Sequence, residues 1–177
     1  MWKYYLSSLC YSASILQTFT NPCSNATITG MIHSAVDPRL NDIDDCLYRV
    51  ALKALIVKSG KVLLVKEIPE MWWGFPGGGI DHGEGVKTSL AREVEEELGI
   101  PARDVSSDYK IAHYTIGGVV NGIPRMNLFY YVSIPHDKLK DTDHVAEWRW
   151  LTKDEFMEIN MGPSYKDRAK LAEVIFK

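Results

Sequence analysis

The chain has 177 residues, 46% of them hydrophobic and 24% charged, and a formal net charge of −3. That length supports one domain with a core of its own rather than two full domains. The charge balance gives no footing for a nucleic-acid polymer or an anionic membrane as partner, and no apolar run reaches the roughly 18 residues that a membrane-spanning helix needs.

The first thirty residues differ from the rest: one charged side chain, Lys3, and no acids, with five serines and four threonines. The apolar stretch from Leu9 to Phe19 is diluted by Ser and Gln, and no small-residue cleavage site follows it, so a secretory signal is disfavoured. Residues 1–40 are expected to be an extension, disordered or outside the core, and 41–177 the folded domain. The three cysteines, Cys10, Cys23 and Cys46, are odd in number and widely spaced. They suggest neither a disulfide framework nor a four-ligand zinc site, and a cytoplasmic location is the expectation.

From Tyr48 the pattern turns strand-like. "YRVALKALIV", the turn "KSGK" and "VLLVKE" predict a β-hairpin that serves as scaffold, not chemistry. Residues 71–80, rich in aromatics and glycines, predict a short strand breaking into a loop, and a helix follows from near Val86 to Gly99 and Pro101. Strands are predicted over 109–120, 126–134 and 147–151, and short helices over 153–159 and 164–176. Elements mix without strict βαβ alternation, which predicts an α+β fold with helices flanking a mixed sheet.

The predicted helix at 86–98 carries four glutamates in the five residues 93–97. On a helix, positions i, i+3 and i+4 share a face, so Glu93, Glu96 and Glu97 line one edge while Glu95 points away. Leu90, Val94 and Leu98 form an adjacent apolar stripe, so that edge is half-buried when the helix lies on a sheet. A charged surface helix can show such clustering, because the like-charge pairs cost only about 0.5–1 kcal/mol in water. The loop ahead of it changes the reading. Gly77, Gly78 and Gly79 let main-chain groups approach a ligand closely, and several carboxylates beside them suit a hard cation such as Mg²⁺, which keeps waters for phosphates to replace.

Read from Gly78, the chain shows Gly, five residues, Glu84, seven residues, Arg92-Glu93-Val94, one residue, Glu96-Glu97, one residue and Gly99-Ile100. This resembles the Nudix box at every constrained position. The resemblance implies an α/β/α sandwich with a mixed sheet and hydrolysis of a nucleoside diphosphate linked to some moiety X. It assigns Glu93, Glu96, Glu97 and the Gly77 carbonyl as ligands of Mg²⁺, with Mn²⁺ able to substitute. Arg92 would orient the glutamates, Glu84 would support them, and Gly78 would contact substrate. A homodimer is compatible with it, although no segment marks an interface.

A general base must reach the attacking water. Glu97 is the first candidate, and Asp141, Asp143 and Glu147 in "DTDHVAE" are the second, although acids in such loops are commonly just solvated. Phe75 and Asn160 resemble residues that line the base pocket in the nucleotide-sanitising branch, which acts on oxidised guanine nucleotides. Trp72, Trp73 and Tyr131 have the shape to stack on a base, yet strand aromatics usually pack cores. Arg125 has the charge to meet a terminal phosphate, and the same reservation applies to it. The leading expectation is a pyrophosphohydrolase acting on a nucleoside triphosphate, oxidised or not, to give a monophosphate and pyrophosphate. The alternatives are a diphosphatase for ADP-ribose or another nucleotide sugar or dinucleotide, and a regulatory module that binds nucleotides without turnover.

Overall fold

The computed structural model describes residues 47–68, 71–140, 142–165 and 167–177. The expected extension over 1–40 and all three cysteines lie outside those residues, as does Asp141. The strands are β1 (Arg49–Leu55), β2 (Val57–Lys58), β3 (Lys61–Glu67), β4 (Trp73–Gly74), β5 (Ser106–Ser107), β6 (His113–Val120), β7 (Ile123–Ser133) and β8 (Val145–Leu151). The helices are α1 (Val86–Leu98), α2 (Lys153–Glu158) and α3 (Arg168–Ile175). Among the described residues no helix is long and apolar enough to cross a membrane.

The predicted hairpin is mostly replaced by a different pairing. It is confined to Val57–Lys58 and Lys61–Val62, with one further bond from Leu63 N–H to the Ile56 carbonyl at 3.0 Å, across a Ser59-Gly60 turn with φ of 50° and 72°, which is type I′ geometry. β1 instead runs parallel to β7, Arg49 opposite Arg125 and Leu55 opposite Tyr131. β6 and β5 pair antiparallel with β7, and β3 carries β2, β4 and β8. Two four-stranded sheets result. Asn121 and Gly122, with φ of 52° and 78°, close the β6–β7 hairpin, so the strand resumes at Ile123 rather than 126. The strand expected from 109 starts at His113, preceded by the short β5.

Helices cover both sheet faces. α1 places Leu90, Val94 and Leu98 on Leu52, Ala54, Leu63, Val65 and Tyr130, all buried, and each such side chain contributes about 1.5–3 kcal/mol on leaving water. Gly99 ends α1 in the left-handed region at φ 66°, its N–H bonded to the Glu95 carbonyl. On the opposite face α2 and α3 pack Phe156, Leu171 and Ile175 against Leu55, Leu64, Phe75 and Phe129. Thr152 and Glu155 form a capping box at the start of α2, and Tyr131 Oη donates to the Val174 carbonyl at 2.6 Å, tying α3 to β7.

Candidate active site

The glycine loop extends the first sheet along the free edge of β1. Leu52 N–H donates to Gly78 O at 2.9 Å, Ala54 N–H to Pro76 O at 2.8 Å and Ile80 N–H to Val50 O at 3.2 Å. Strand alternation then leaves the main-chain polar groups of Gly77 and Gly79 outside the ladder with β1. Gly77 takes φ 120°, a conformation closed to most side chains, and a Cβ there would run into the Leu52 carbonyl. A Cβ on Gly78 would occupy the place of the Glu93 carboxylate, and one on Gly79 that of the Arg49 guanidinium.

α1 brings its acidic edge to this loop. Glu97, 8% exposed, accepts the Gly77 N–H at 2.9 Å, and Glu93 lies against Gly78. Arg92 binds Glu84 through two nitrogens, Nε to Oε1 at 2.9 Å and Nη2 to Oε2 at 3.1 Å. Its Nη1 donates to Glu93 at 2.8 Å and to Glu96 at 3.2 Å, and its Nη2 reaches the Gly79 carbonyl at 3.4 Å. Glu95 is exposed, as its position on the helix predicts.

The environment separates these carboxylates electrostatically. Burial pushes Glu97 up to about 8, against the pull of Lys53. Burial also raises Glu93, opposed by Arg92. Glu84 is held down at about 2, chiefly by its hydrogen bonds from Arg92 and the Asp81 amide.

Gly77, expected to lend its carbonyl to a metal ion, is engaged by a side chain of β1. Its carbonyl accepts from Lys53 Nζ, which also pairs with Glu67 at 3.2 Å. Lys53 is 2% exposed. Burial works against its ammonium, but Glu67 and then its other neighbours, Glu97 among them, more than offset that and raise its pKa. β1 is therefore part of the site's chemistry, not scaffold alone. The signal was present in the sequence as a single lysine inside the apolar run "VALKALIV", because a buried charge must be paired to be tolerated.

The donor set suits a hard divalent cation, since the groups gathered around Gly77 and Gly78 are carboxylate and carbonyl oxygens. The closed cage expected from the sequence is not formed. Among the described residues no three acidic, His or Cys side chains are spaced to hold one ion. Arg92 draws Glu93 and Glu96 to itself, while the Gly77 N–H draws Glu97 the other way. The backbone nevertheless brings the helix edge to the loop.

The remaining candidates fall elsewhere. Phe75 is fully buried, packed edge-on to Phe129 and Tyr165 with ring centroids 5.3 and 5.5 Å away. It belongs to the core and lines no base pocket. Asn160 is exposed, and its carbonyl accepts from Trp73 N–H at 3.4 Å; the structure does not bring it to the glutamates. Glu147 is taken by Arg149, which donates at 2.6 Å from Nε. Asp143 is exposed in the turn before β8. Trp73 is buried under Arg149, and Trp72 is partly exposed. A separate cavity of about 420 Å³ opens between β6 and α3, lined among others by His113, Thr115, Ser164, Asp167 and Lys170.

The sequence pattern of the NUDIX domain matches residues 47–172, most of the chain and all of the geometry just described. The chain belongs to the Nudix family. Members generally use divalent metals such as Mg²⁺ or Mn²⁺ and act on small nucleotide substrates. The RNA pyrophosphohydrolase of Actinobacillus pleuropneumoniae is 44% identical over 48 residues, covering 27% of this chain and 23% of that protein. The Nudix hydrolase YvcI of Bacillus subtilis is 30% identical over 117 residues, 64% of this chain and 59% of that protein. This Nudix chain thus spans about a quarter to three-fifths of the length of those relatives. The crystal structure of the MutT protein from Methanosarcina mazei Go1 superposes with a TM-score of 0.62 at 20% identity, covering 73% of this chain and 95% of that one. That likeness supports the α+β Nudix fold.

Proposed function

We propose that this protein is a pyrophosphohydrolase that cleaves a phosphoanhydride in a nucleoside diphosphate linked to X. The observation that carries the reading is the meeting of α1 with the glycine loop: Glu97 on the Gly77 amide, Glu93 against Gly78, and Arg92 linking Glu84, Glu93 and Glu96. Glu93, Glu96 and Glu97 would hold Mg²⁺ or Mn²⁺, with the Gly77 carbonyl shared with Lys53. When bound, the ion neutralises phosphate charge and makes water easier to deprotonate.

The residues of the chain do the rest. Arg92 and Glu84 fix the glutamate edge, and the glycine loop lets phosphate oxygens approach the main chain. Lys53 keeps positive charge beside the Gly77 carbonyl, where negative charge develops as water adds to phosphorus and the bridging P–O bond breaks. Glu97 is the first candidate for the proton acceptor because it stands against the glycine loop, on the Gly77 amide. Asp141, Asp143 and Glu147 stay second, and Glu147 is already engaged by Arg149.

Within this class we read the substrate as a nucleoside triphosphate giving a monophosphate and pyrophosphate. The match to a relative named RNA pyrophosphohydrolase favours a second reading, in which the same phosphates sit at the 5′ end of an RNA. The burial of Phe75 removes one reason to prefer oxidised purines. The test is a panel of nucleoside triphosphates, 5′-triphosphorylated RNA, ADP-ribose and dinucleoside polyphosphates, with products identified, in Mg²⁺, in Mn²⁺ and in chelator. Hydrolysis of one class only with divalent ion is expected. A folded, metal-saturated sample that turns over none of them would sink the reading in favour of a binding module.

A further inference from the structure

The face of the first sheet that looks toward α3 carries a group of cations that the glutamate site does not use. Arg49 on β1 and Arg125 on β7 are register partners in a parallel pair. Their side chains therefore leave the same face of strands about 4.8 Å apart. Among the described residues neither takes part in an ion pair. Like charges directly opposite one another on a sheet repel by about 0.2–1 kcal/mol, so their placement is adverse unless an anion lies between them.

Two buried polar atoms beside them also lack partners. Arg125 Nε has none, and neither has Oδ1 of Asn127, a residue that is 0% exposed and two positions along the same face. Asn127 Nδ2 donates to Thr115 Oγ1 at 3.1 Å. Orphaned buried polar groups call for a ligand or ordered water, and a pair of guanidiniums matches phosphate oxygens.

The position is right for a substrate already docked at the glycine loop. The Arg49 guanidinium sits against Gly79, whose lack of a side chain makes room for it, and Arg92 Nη2 reaches the Gly79 carbonyl. Arg125 is close enough for its charge to act on Lys53 and Tyr165.

We propose that Arg49 and Arg125 form a second phosphate subsite that selects substrates carrying a phosphate beyond the two joined by the scissile anhydride. The inference rests on the hydrolase reading for its use of the word substrate. Its own observable is binding. It makes a nucleoside with three or more phosphates the preferred class over nucleotide sugars with an uncharged X.

The test is isothermal titration with two non-hydrolysable probes, α,β-methylene-ATP and α,β-methylene-ADP, in Mg²⁺. The wild-type protein should bind the triphosphate about tenfold more tightly, and Arg125→Gln and Arg49→Gln should each remove most of that preference while moving the diphosphate less than about twofold. Arg49 is exposed, so its variant keeps the fold even if Arg125→Gln does not. Gly79→Ala, which displaces the Arg49 guanidinium without touching it chemically, should mimic Arg49→Gln. A preference that survives in Arg49→Gln, or its absence in the wild type, would overturn the subsite and leave water as the partner of the orphaned atoms. Hydrolysis with no such preference defeats this inference alone; a preference abolished by the variants in a protein that turns over nothing defeats the hydrolase reading alone.

Discussion

Lys53 donates a hydrogen bond to the carbonyl of Gly77, joining the middle of β1 to a loop 24 residues further along the chain. The same ammonium pairs with Glu67 at the end of β3, so one buried cation ties both sheets to the glycine loop. Replacing it with Met keeps the length of the stem and leaves the Gly77 carbonyl without its donor. Loss of one buried partner costs about 1–3 kcal/mol. Lys53→Met should lower stability by that amount in urea denaturation, and should lower kcat further than the residual fraction folded explains.

Gly77 and Gly78 should separate fold from site. Gly77→Ala forces a side chain into a left-handed conformation and against the Leu52 carbonyl. The backbone conformation alone costs about 1–3 kcal/mol. At Gly78 the obstacle is the mobile end of Glu93. Thermal melts should therefore show a large loss for Gly77→Ala and a small one for Gly78→Ala, whereas titration with Mn²⁺ should show weakened binding in the folded Gly78→Ala protein.

The helix face assignment predicts unequal glutamates. Glu96 shares Arg92 with Glu93, and Glu95 is exposed on another face. Glu96→Gln should reduce kcat/KM by about a hundredfold or more, the scale of losing one group that stabilises transition-state charge. Glu95→Gln should stay within about threefold. Equal losses in steady-state assays would discredit the faces.

The Glu84–Arg92 pair predicts a pH window. Glu84 titrates near 2 in the folded chain against an ordinary 4.5, so the unfolded chain binds more protons between those values. The stability it contributes is present above about pH 4.5 and is lost as the pH falls through about 2. Urea midpoints of Glu84→Gln and the parent should differ at pH 6 and converge toward pH 2. A difference independent of pH would show that the ion pair is not its source.

Removal of divalent ion supplies a prediction on binding rather than rate. A divalent ion held by the acidic edge would compete with the Lys53 ammonium for the Gly77 carbonyl oxygen. Mg²⁺ added to chelator-treated protein should raise the melting temperature of the parent, as any ligand of the folded state does. The Glu93→Gln/Glu97→Gln double variant should show no such rise.

Much of this protein is legible along the chain. The extent of α1, its stop at Gly99, the apolar stripe of Leu90, Val94 and Leu98, and the separation of Glu95 from its neighbours all follow from a local rule: residues three and four apart share a helix face. The Ser59-Gly60 and Asn121-Gly122 turns follow from the residues that tolerate positive φ. The spacing from Gly78 to Ile100 identified the family for the same reason, since a loop and a helix translate sequence intervals directly into positions in space.

Strand partners do not follow from local spacing. The run 48–57 reads as one arm of a hairpin, yet β1 leaves its neighbour to lie parallel to β7, because burial between two helix layers rewards that pairing and no interval in the sequence encodes it. Only that long-range register sets Lys53 under the glycine loop and Arg49 beside Arg125, and only three-dimensional packing puts Phe75 in the core rather than in a pocket. Local spacing along α1 is enough to say which acids share an edge; which cations meet them depends on long-range pairing, because charge complementarity between distant segments exists only once the sheets have formed.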